Sequence, residues 1–366
     1  MKFIFINHYI PPDDSPTAGL IADVGIELVS SGHEVHNLGR PGGYQSGLTG
    51  IKRWTGDVTH LLRLLFQLLS ALPADRVIAL SSPPGLHVMV AVACALKRTP
   101  FVLWLMDIYP DLAFVEGLIP NKTAQRIIHF LFNRATQRAE QVIVLDEDMR
   151  KTVATIYSGP VEIQAPWPKP FQVIPNPPEL KQKDYWLYSG NLGRAHLWKP
   201  LLEAQKLIED SGSPLHLVIQ GGGFGWRQAR AEAARLQLKQ VHFRDYCPVE
   251  ELPFHLLQAR ALVASLKPEM TGLLWPSKLS LMLESHVPVA WIGKKTGSIA
   301  EVILKHEQNQ CFLPDEMTTL SQWITGRPQR PPENVTTHIS EFSNRVQSAR
   351  KVAINRMTSI LLNSHD

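Results

Sequence analysis

Cysteine is scarce in this 366-residue chain. The three cysteines, Cys94, Cys247 and Cys311, are widely spaced and odd in number, so they predict neither a disulfide framework nor a zinc site. No apolar run reaches the roughly 18 residues that span a bilayer. The apolar start "KFIFIN" is too short for a signal peptide and reads as a first strand. These absences predict a cytoplasmic protein without a metal centre.

An excess of charge is also missing. Lys and Arg number 37 against 33 Asp and Glu, which gives a net charge of +4 and no basic block. This balance argues against nucleic acid as a partner and suits a phosphate-bearing ligand or an anionic membrane surface. With 44% hydrophobic and 19% charged residues, the chain is ordered, and its length favours two domains.

Apolar strands alternate with helical patterns in both halves of the chain. The first half contains "KFIFIN", "HEVHNL", "RVIALSSPP", "PFVLWLMD" and "AEQVIVLDED"; the second contains "YWLYSG", "LHLVIQG", "VHFRDY", "ALVASL" and "PVAWIG". This βαβα order predicts two Rossmann-like, doubly wound parallel sheets facing a cleft. A proline-rich linker, with a last short strand "QVIP", separates domains at 1–178 and 183–339. The C-terminal helix, 340–366, is predicted to pack back on the first domain.

The stretch "YSGNLGRAHLWKP" joins a strand to a helix and carries glycines and cations. Gly190 and Gly193 would let a ligand approach the main chain, whose N–H groups favour an anion. Arg194 could fork onto a phosphate, and Lys199 could add a point charge. The alternative is a tight turn with solvated basic residues.

Two further loops have the same position after a strand. Gly221 and Gly222 lie at the carboxyl end of the strand in "VIQGGGFGW", where a flat or charged ligand could again come close. Glu269 lies in the loop after "ALVASL", and Ser277-Lys278 opens the next helix. A carboxylate can bind sugar hydroxyls and a lysine can neutralise a diphosphate. The alternative is an ordinary loop with exposed charges.

The order of these elements resembles the GT-B glycosyltransferases, and specifically the large retaining family (family-4-like) that uses nucleotide-diphosphate sugars. The branch that it is most similar to makes bacterial exopolysaccharide and lipopolysaccharide, including colanic acid. The resemblance covers nearly the whole chain. Its carriers are "FINHYIPPDDSPTAGLIADVGIELVSSGHEV", "SSPPG", "WLMDIYPDLA", "VIVLDEDM", "VIPNPP", "YSGNLGRAH" and "GLLWPSKLSLMLESHVPV".

The resemblance implies transfer of a hexosyl or N-acetylhexosaminyl group from a nucleotide sugar to a glycan or lipid-linked acceptor, without a cofactor or a metal. It implies that the donor's diphosphate and nucleotide lie by Gly190, Asn191, Gly193, Arg194, Lys199, Gly221, Gly222, Ser277, Lys278 and Gly19. Glu269 would lie near the transferred sugar. The acceptor side would be formed by Asp107, His8, Asp13 and Asp14.

The sequence also departs from that family. Asn191 stands where many members have arginine, and Leu281 stands where many have a ribose-binding glutamate, for which Glu284 could compensate weakly. Several readings therefore stay open: an inverting transferase with Asp107 or His8 as base, a sugar-nucleotide epimerase or hydrolase, or a non-catalytic nucleotide-sugar-binding protein.

The stretch "HLLRLLFQLLSAL", residues 60–72, is strongly apolar and has the composition of a helix. One interpretation places it at a membrane interface, where it would meet a lipid-linked acceptor at the inner face of the membrane. The other is a core or interdomain helix, because the stretch is apolar nearly all round.

Overall fold

The computed structural model describes residues 1–43, 51–174, 184–328 and 335–363, and side chains within these ranges except 51–58 and 335–337. The chain forms two compact units. The first comprises Met1–Trp167, Gly272–Trp275 and Lys351–Asp366, and the second comprises Pro168–Thr271 and Pro276–Arg350. The boundary predicted at 178–183 lies outside the described residues.

The first unit is built on six parallel strands in the order β2-β1-β3-β4-β5-β6. Its strands and helices are β1 (Lys2–Tyr9), α1 (Pro16–Ser30), β2 (Glu34–Arg40), α2 (Ile51–Ala71), β3 (Arg76–Leu80), α3 (Leu86–Lys97), β4 (Phe101–Trp104), α4 (Asp111–Val115), α5 (Lys122–Thr136), β5 (Gln141–Val144), α6 (Glu147–Ala154) and β6 (Val161–Ile163). Continuous apolar strands such as Arg76–Leu80 are buried throughout, as expected of a sheet covered on both faces.

Helix α1 begins and ends at residues that favour helix termini. Ser15 is the N-cap and accepts a hydrogen bond from the Ala18 N–H, with Pro16 at the first helical position. Gly32 follows the C-cap with a φ of 84°. Leu20, Val24 and Leu28 pack on one face of the sheet.

The predicted strand at "QVIP" is wrong. Its described residues, 172–174, form no strand, and the last strand of the sheet is Val161–Ile163, which pairs with β5. Prolines at 166, 168, 170 and 175 crowd the predicted segment and remove N–H donors that a ladder needs. The shorter run after Gly159-Pro160 keeps its donors and therefore takes the edge.

The second unit repeats the architecture with the strand order β12-β11-β10-β7-β8-β9, all parallel. Its strands and helices are β7 (Tyr185–Asn191), α7 (Lys199–Asp210), β8 (His216–Gly222), α8 (Trp226–Arg235), β9 (Val241–Arg244), α9 (Leu252–Gln258), β10 (Ala261–Ser265), α10 (Lys278–Glu284), β11 (Val289–Ile292), α11 (Ser298–Leu304), β12 (Gln310–Phe312) and α12 (Met317–Thr325), with a 3-10 turn at Pro268–Met270. The five strands predicted for this half are present, and the short edge strand β12 is an addition.

The long helix α13 (Val335–Leu362) ends the described chain. Three of its residues, Ile354, Met357 and Leu361, are buried in the core of the first unit beside α1. The buried Arg76 guanidinium donates to the carbonyl of Leu361 and, at 2.8 Å, to Glu140. This segment of the helix is therefore held to the first unit by both packing and hydrogen bonds.

Candidate functional site

The glycines at the carboxyl ends of β7 and β8 lie side by side. Gly190 pairs with Gly221 in the ladder, and both have positive φ, 126° and 132°. A Cβ on Gly221 would lie 2.2 Å from the Gly190 carbonyl oxygen. The contact between the two strands thus requires glycine at position 221. The sequence analysis had explained this glycine by the approach of a ligand.

The two loops that follow these strands are bonded to each other. Leu192 N–H donates to the Gly222 carbonyl at 2.6 Å, and Gly225 N–H donates to the Leu192 carbonyl at 2.8 Å. A Cβ on Gly223 would lie 2.0 Å from the Asn191 side-chain oxygen. The loops therefore form one preorganised unit, in which Gly222 faces the exposed ring of Tyr246.

Lys278, at the start of α10, reaches into this unit. A Cβ on Gly190 would lie 3.3 Å from Lys278 Cε, and Nζ lies 3.6 Å from the ring centroid of the buried Tyr188. Nζ is buried and has no hydrogen-bond partner among the described residues. Burial lowers the pKa of Lys278 well below its usual 10.5. The ammonium is stabilised only by the aromatic ring and lacks a counter-charge in the described part of the chain.

His196 lies beside the same lysine, on the loop after β7. Its Nδ1 donates to the Ser265 carbonyl at 2.6 Å, while Ser265 also exchanges hydrogen bonds with Leu197. Burial, followed by the positive Lys278, lowers the pKa of His196 to about 3, so the ring is neutral at physiological pH and Nε2 is an acceptor. The sequence analysis missed Tyr188 and His196, although both lie in or beside "YSGNLGRAH".

The other two cations predicted on this loop lie on aromatic rings at its surface. The guanidinium carbon of the exposed Arg194 is 3.7 Å from the ring centroid of Phe224, which is itself exposed. Lys199 Nζ lies 5.8 Å from the Trp198 ring. The pKa of Glu232 on α8 is lowered mainly by Arg235 and to a smaller extent by Lys199. No contact among the described residues joins Arg194 or Lys199 to Lys278.

Glu269 and Ser277 flank the segment that belongs to the first unit. Glu269 is exposed in the 3-10 turn, and Ser277 is the exposed N-cap of α10, without a side-chain capping bond. Glu284 is the last residue of that helix, where its carboxyl faces Arg345 and His306. It lies at the opposite end of α10 from Lys278, which argues against its replacing a ribose ligand at Leu281.

In the first unit, Asp107 follows β4 in a tightly bonded turn. Its N–H donates to Ser81 Oγ at 3.1 Å, and it forms an antiparallel bridge with Leu274. The next N–H, of Ile108, donates to the Leu273 carbonyl at 2.7 Å. Burial, with a smaller contribution from Glu116, raises the pKa of the Asp107 carboxyl to about 6.

His8 ends β1 within a cluster of rings. It stacks on Tyr9 with centroids 4.4 Å apart and lies 4.8 Å from His60 of α2. Burial, then the electrostatic effects of Arg40 and His8, lowers the pKa of His60 to about 4. His60 is therefore neutral at physiological pH.

The residues around the start of α1 have different surroundings. Asp13 accepts the Ser15 N–H at 2.7 Å and so shapes the turn before the helix. Asp14 is exposed. Gly19 lies in the first turns of α1, and a Cβ there would meet no atom within 4 Å. The fold thus gives no steric reason for glycine at this position.

The structure brings Gly190, Asn191, Gly221, Gly222 and Lys278 together and adds Tyr188 and His196. Gly193 lies on the same loop. A Cβ there would be at ordinary contact distance from its nearest neighbour, the Asn191 amide. The roles predicted for all these residues stay predictions. Among the described residues, no group of three or more His, Cys, Asp or Glu side chains could hold a metal ion.

No family profile matches the chain. The probable glycosyltransferase WbjE of Pseudomonas aeruginosa is 22% identical over 215 residues, which are 56% of this chain and 53% of that protein. The matched region thus spans about half of the relative's length.

Three solved structures cover almost the whole chain. Sucrose-phosphate synthase of Thermosynechococcus elongatus matches with a TM-score of 0.68 at 14% identity, over 99% of this chain and 98% of its own. WaaG, a glycosyltransferase of lipopolysaccharide biosynthesis, matches with 0.64 at 14%, over 99% and 100%. Anabaena HepE in complex with UDP-glucose matches with 0.61 at 16%, over 99% of both chains. With its two six-stranded parallel sheets, the chain has the GT-B fold of these glycosyltransferases, as the sequence predicted.

Proposed function

We propose that this protein is a glycosyltransferase that moves a sugar from a nucleotide-diphosphate sugar to a hydroxyl acceptor in polysaccharide or glycolipid synthesis. The observation that carries the proposal is Lys278, whose buried ammonium has no acceptor or counter-charge among the described residues. Keeping this group charged without a partner costs several kcal/mol, and a bound anion would remove that cost. A diphosphate beside Gly190 and Tyr188 would supply that charge.

The loops after β7 and β8 support the same assignment. Their mutual hydrogen bonds fix the main chain before any ligand arrives, which is the requirement for electrostatic preorganisation. As the bond between sugar and diphosphate breaks, negative charge grows on the leaving oxygens. Lys278 and Arg194 would stabilise that charge, and a shift of Arg194 from Phe224 would bring its guanidinium to the phosphates. Glu269 would bind the transferred hexosyl or N-acetylhexosaminyl group.

The relatives support a nucleotide sugar as donor, since HepE is known in complexes with UDP and UDP-glucose. We infer retention of configuration, because a leaving diphosphate can itself take the acceptor's proton and no base is then needed. The anomeric configuration of the product checks this inference. If inversion were found, Asp107, with a pKa of about 6, would be the first candidate for the base.

The first unit would supply the acceptor side, with His8, Asp13, Asp14 and Asp107 as its candidate residues, and Gly19 stays a predicted donor residue. A glycan or lipid-linked acceptor fits the polysaccharide assignment, and the latter would bring the protein to the inner face of a membrane. The structure offers no helix among its described residues that is long and apolar enough to cross a membrane.

A thermal-shift screen against nucleotide-diphosphate sugars tests the donor site. A ligand at 100 times its Kd should stabilise the folded protein by about 2.7 kcal/mol. Arg194→Ala and Lys278→Ala should each slow transfer, because each removes at most a few kcal/mol of transition-state stabilisation. Normal turnover in both variants would remove these residues from the mechanism.

The alternatives differ in their products. A transferase forms a new glycoside only when the acceptor is present, whereas an epimerase or hydrolase converts the nucleotide sugar without it. A non-catalytic binding protein, which Leu281 and Asn191 favour, would show the thermal shift and no product. Incubation of the ligand found in the screen, with and without polysaccharide or lipid-linked acceptors, separates the three.

A further inference from the structure

Three helices of the first unit form one layer over its sheet. Helix α3 packs between α2 and α5 and also contacts β3 and β4. The buried sides of these helices carry residues such as Leu64, Val90 and Phe132. Helix α1 and the end of α13 cover the other face of the sheet, where they pack on Phe3, Phe5 and Trp104. The exposed sides of α2, α3 and α5 therefore point away from the sheet in the same general direction.

These exposed sides are apolar to an unusual degree. Phe66 is 68% exposed and Phe130 is 61% exposed, which places two phenyl rings in water. Together with four aliphatic neighbours they form what we call the helical face: Leu62, Phe66, Leu96, Ile127, Phe130 and Leu131. Single exposed apolar residues are common, but several on adjacent helices mark an interaction surface.

The charges around the helical face have one sign. Residues 58–74, 76–106 and 117–139, which contain α2 from Val58 onward and all of α3 and α5, include no Asp or Glu, and Asp57 precedes them in α2. At the chain's average of 33 acidic residues in 366, these stretches would hold about six. They instead carry exposed cations at Lys97, Arg98, Lys122, Arg126, Arg134 and Arg138.

Among the described side chains, acidic residues lie at the margin of this layer. Asp111 of α4 lies 3.7 Å from His129 of α5, and Glu116 follows the same short helix. Arg134, in contrast, lies over the Phe130 ring at 5.9 Å and has no carboxylate partner among the described residues. The cations beside the apolar side chains are thus available to an external anionic surface.

We propose that the helical face docks on an anionic membrane surface. Its phenyl and aliphatic side chains would enter the boundary between headgroups and acyl chains, and the flanking Arg and Lys side chains would contact acidic phospholipids. A protein partner with an apolar face would not require that α3, α5 and α2 from Val58 onward all lack carboxylates. The inference does not depend on the donor site, because binding to lipid is measured without any sugar nucleotide.

This surface also revises the interpretation of residues 60–72. Helix α2 is neither wholly a core helix nor wholly a surface helix, since His60, Leu64 and Leu68 are buried while Leu62 and Phe66 are exposed. It would contribute one edge of the contact. Helix α5, which the sequence analysis had not singled out, contributes three of the six residues of the helical face.

Vesicle flotation tests the proposal with the full-length protein. We expect the protein to float with vesicles of phosphatidylcholine and phosphatidylglycerol, and to float weakly with phosphatidylcholine alone or at high salt. Phe130→Ser should weaken binding at least roughly tenfold, because a buried phenyl group is lost. The matched control is Ile26→Ser, which removes a 67% exposed apolar side chain from α1, on the other face of the sheet.

A second pair of variants tests the charges without touching apolar packing. Arg126→Gln combined with Arg134→Gln should weaken binding roughly 30-fold, at about fivefold for each cation near an anionic surface. Arg230→Gln, an exposed site on α8 of the second unit, should leave binding unchanged. Absence of wild-type flotation, equal flotation of all variants, or a dimer in solution that Phe130→Ser dissociates would each overturn the proposal. Loss of flotation with normal thermal shift by nucleotide sugars would leave the proposed function intact.

Discussion

Replacement of Lys278 by methionine should increase the stability of the ligand-free protein while it abolishes most of its activity. Methionine keeps the side chain as far as Cε, the atom nearest to Gly190, and vacates only the space of Nζ. The change removes a buried ammonium that has no hydrogen-bond partner among the described residues. It also removes the contact of Nζ with the Tyr188 ring, at 3.6 Å.

The magnitudes decide the direction of the stability change. A cation–π contact contributes about 0.5–2 kcal/mol, whereas burying an unpaired charge costs several kcal/mol. We therefore expect the free energy of unfolding to rise by on the order of 1–3 kcal/mol. If Lys278 neutralises the leaving diphosphate, kcat/KM should fall roughly 10²- to 10³-fold. The same variant should lose most of the thermal shift produced by a nucleotide sugar.

The pH dependence gives a second check with a definite sign. The folded-state pKa of Lys278 is lowered from 10.5, so its charging opposes folding. The stability of the wild type is full above pH 10.5 and declines as pH falls toward the lowered pKa. The advantage of Lys278→Met should thus be absent at the highest pH and grow as pH falls.

The assay is denaturant unfolding followed by fluorescence, with Lys305→Met as control. That residue is an exposed C-cap of α11, so the same chemical change there should be nearly neutral. If Lys278→Met destabilises the ligand-free protein more than the control does and keeps the thermal shift by nucleotide sugars, the argument from the buried charge is refuted.

Three further predictions concern other positions. Gly19→Ala should stabilise the protein by up to about 1 kcal/mol, because a helical glycine is replaced where a Cβ meets no atom. It should also lower turnover if a ligand occupies that space. A gain in stability with unchanged kcat/KM would remove Gly19 from the site. Gly221→Ala should lower the free energy of unfolding by more than the roughly 1 kcal/mol expected for Gly212→Ala. Both glycines have positive φ, but only at Gly221 would a Cβ lie 2.2 Å from a carbonyl oxygen. Equal urea midpoints for the two variants would contradict this. Asp107→Asn should raise the free energy of unfolding on the order of 2 kcal/mol above pH 6 and leave it unchanged below pH 3.8. The reason is that a carboxyl with a raised pKa gives stability that is lost as pH rises through about 6. Parallel pH–stability curves for the two proteins would show that the carboxyl is not perturbed.

The sequence was sufficient for the architecture because strands and helices are set by local patterns. Strands Tyr185–Asn191 and His216–Gly222 each contain a short buried apolar run followed by glycine, and each is found where predicted. The error at "QVIP" arose because apolar character was weighed without the surrounding prolines. The edge strand Gln310–Phe312 is too short for periodicity to reveal.

The candidate site was predicted less well, because side-chain environments depend on neighbours that are distant in sequence. Lys278 was selected as one of several cations, but its burial against Tyr188, 90 residues earlier, sets it apart from Arg194 and Lys199. His196 is neutral because of its burial and the nearby Lys278, which no local motif indicates. Local sequence gives the order of the loops, and only the folded sheet gives their pairing.

The glycines show most clearly why a motif alone is an ambiguous signal of ligand binding. Gly221 and Gly223 are needed by the protein itself, since a Cβ at either position would collide with the neighbouring loop. Gly19 has no such need, because the space beside it is open. A glycine that the fold does not require is the stronger indication of a ligand, since its cost to helix stability is otherwise unexplained. By this criterion Gly19, which sequence analysis placed last among the donor residues, is better supported as a ligand contact than Gly221 or Gly223.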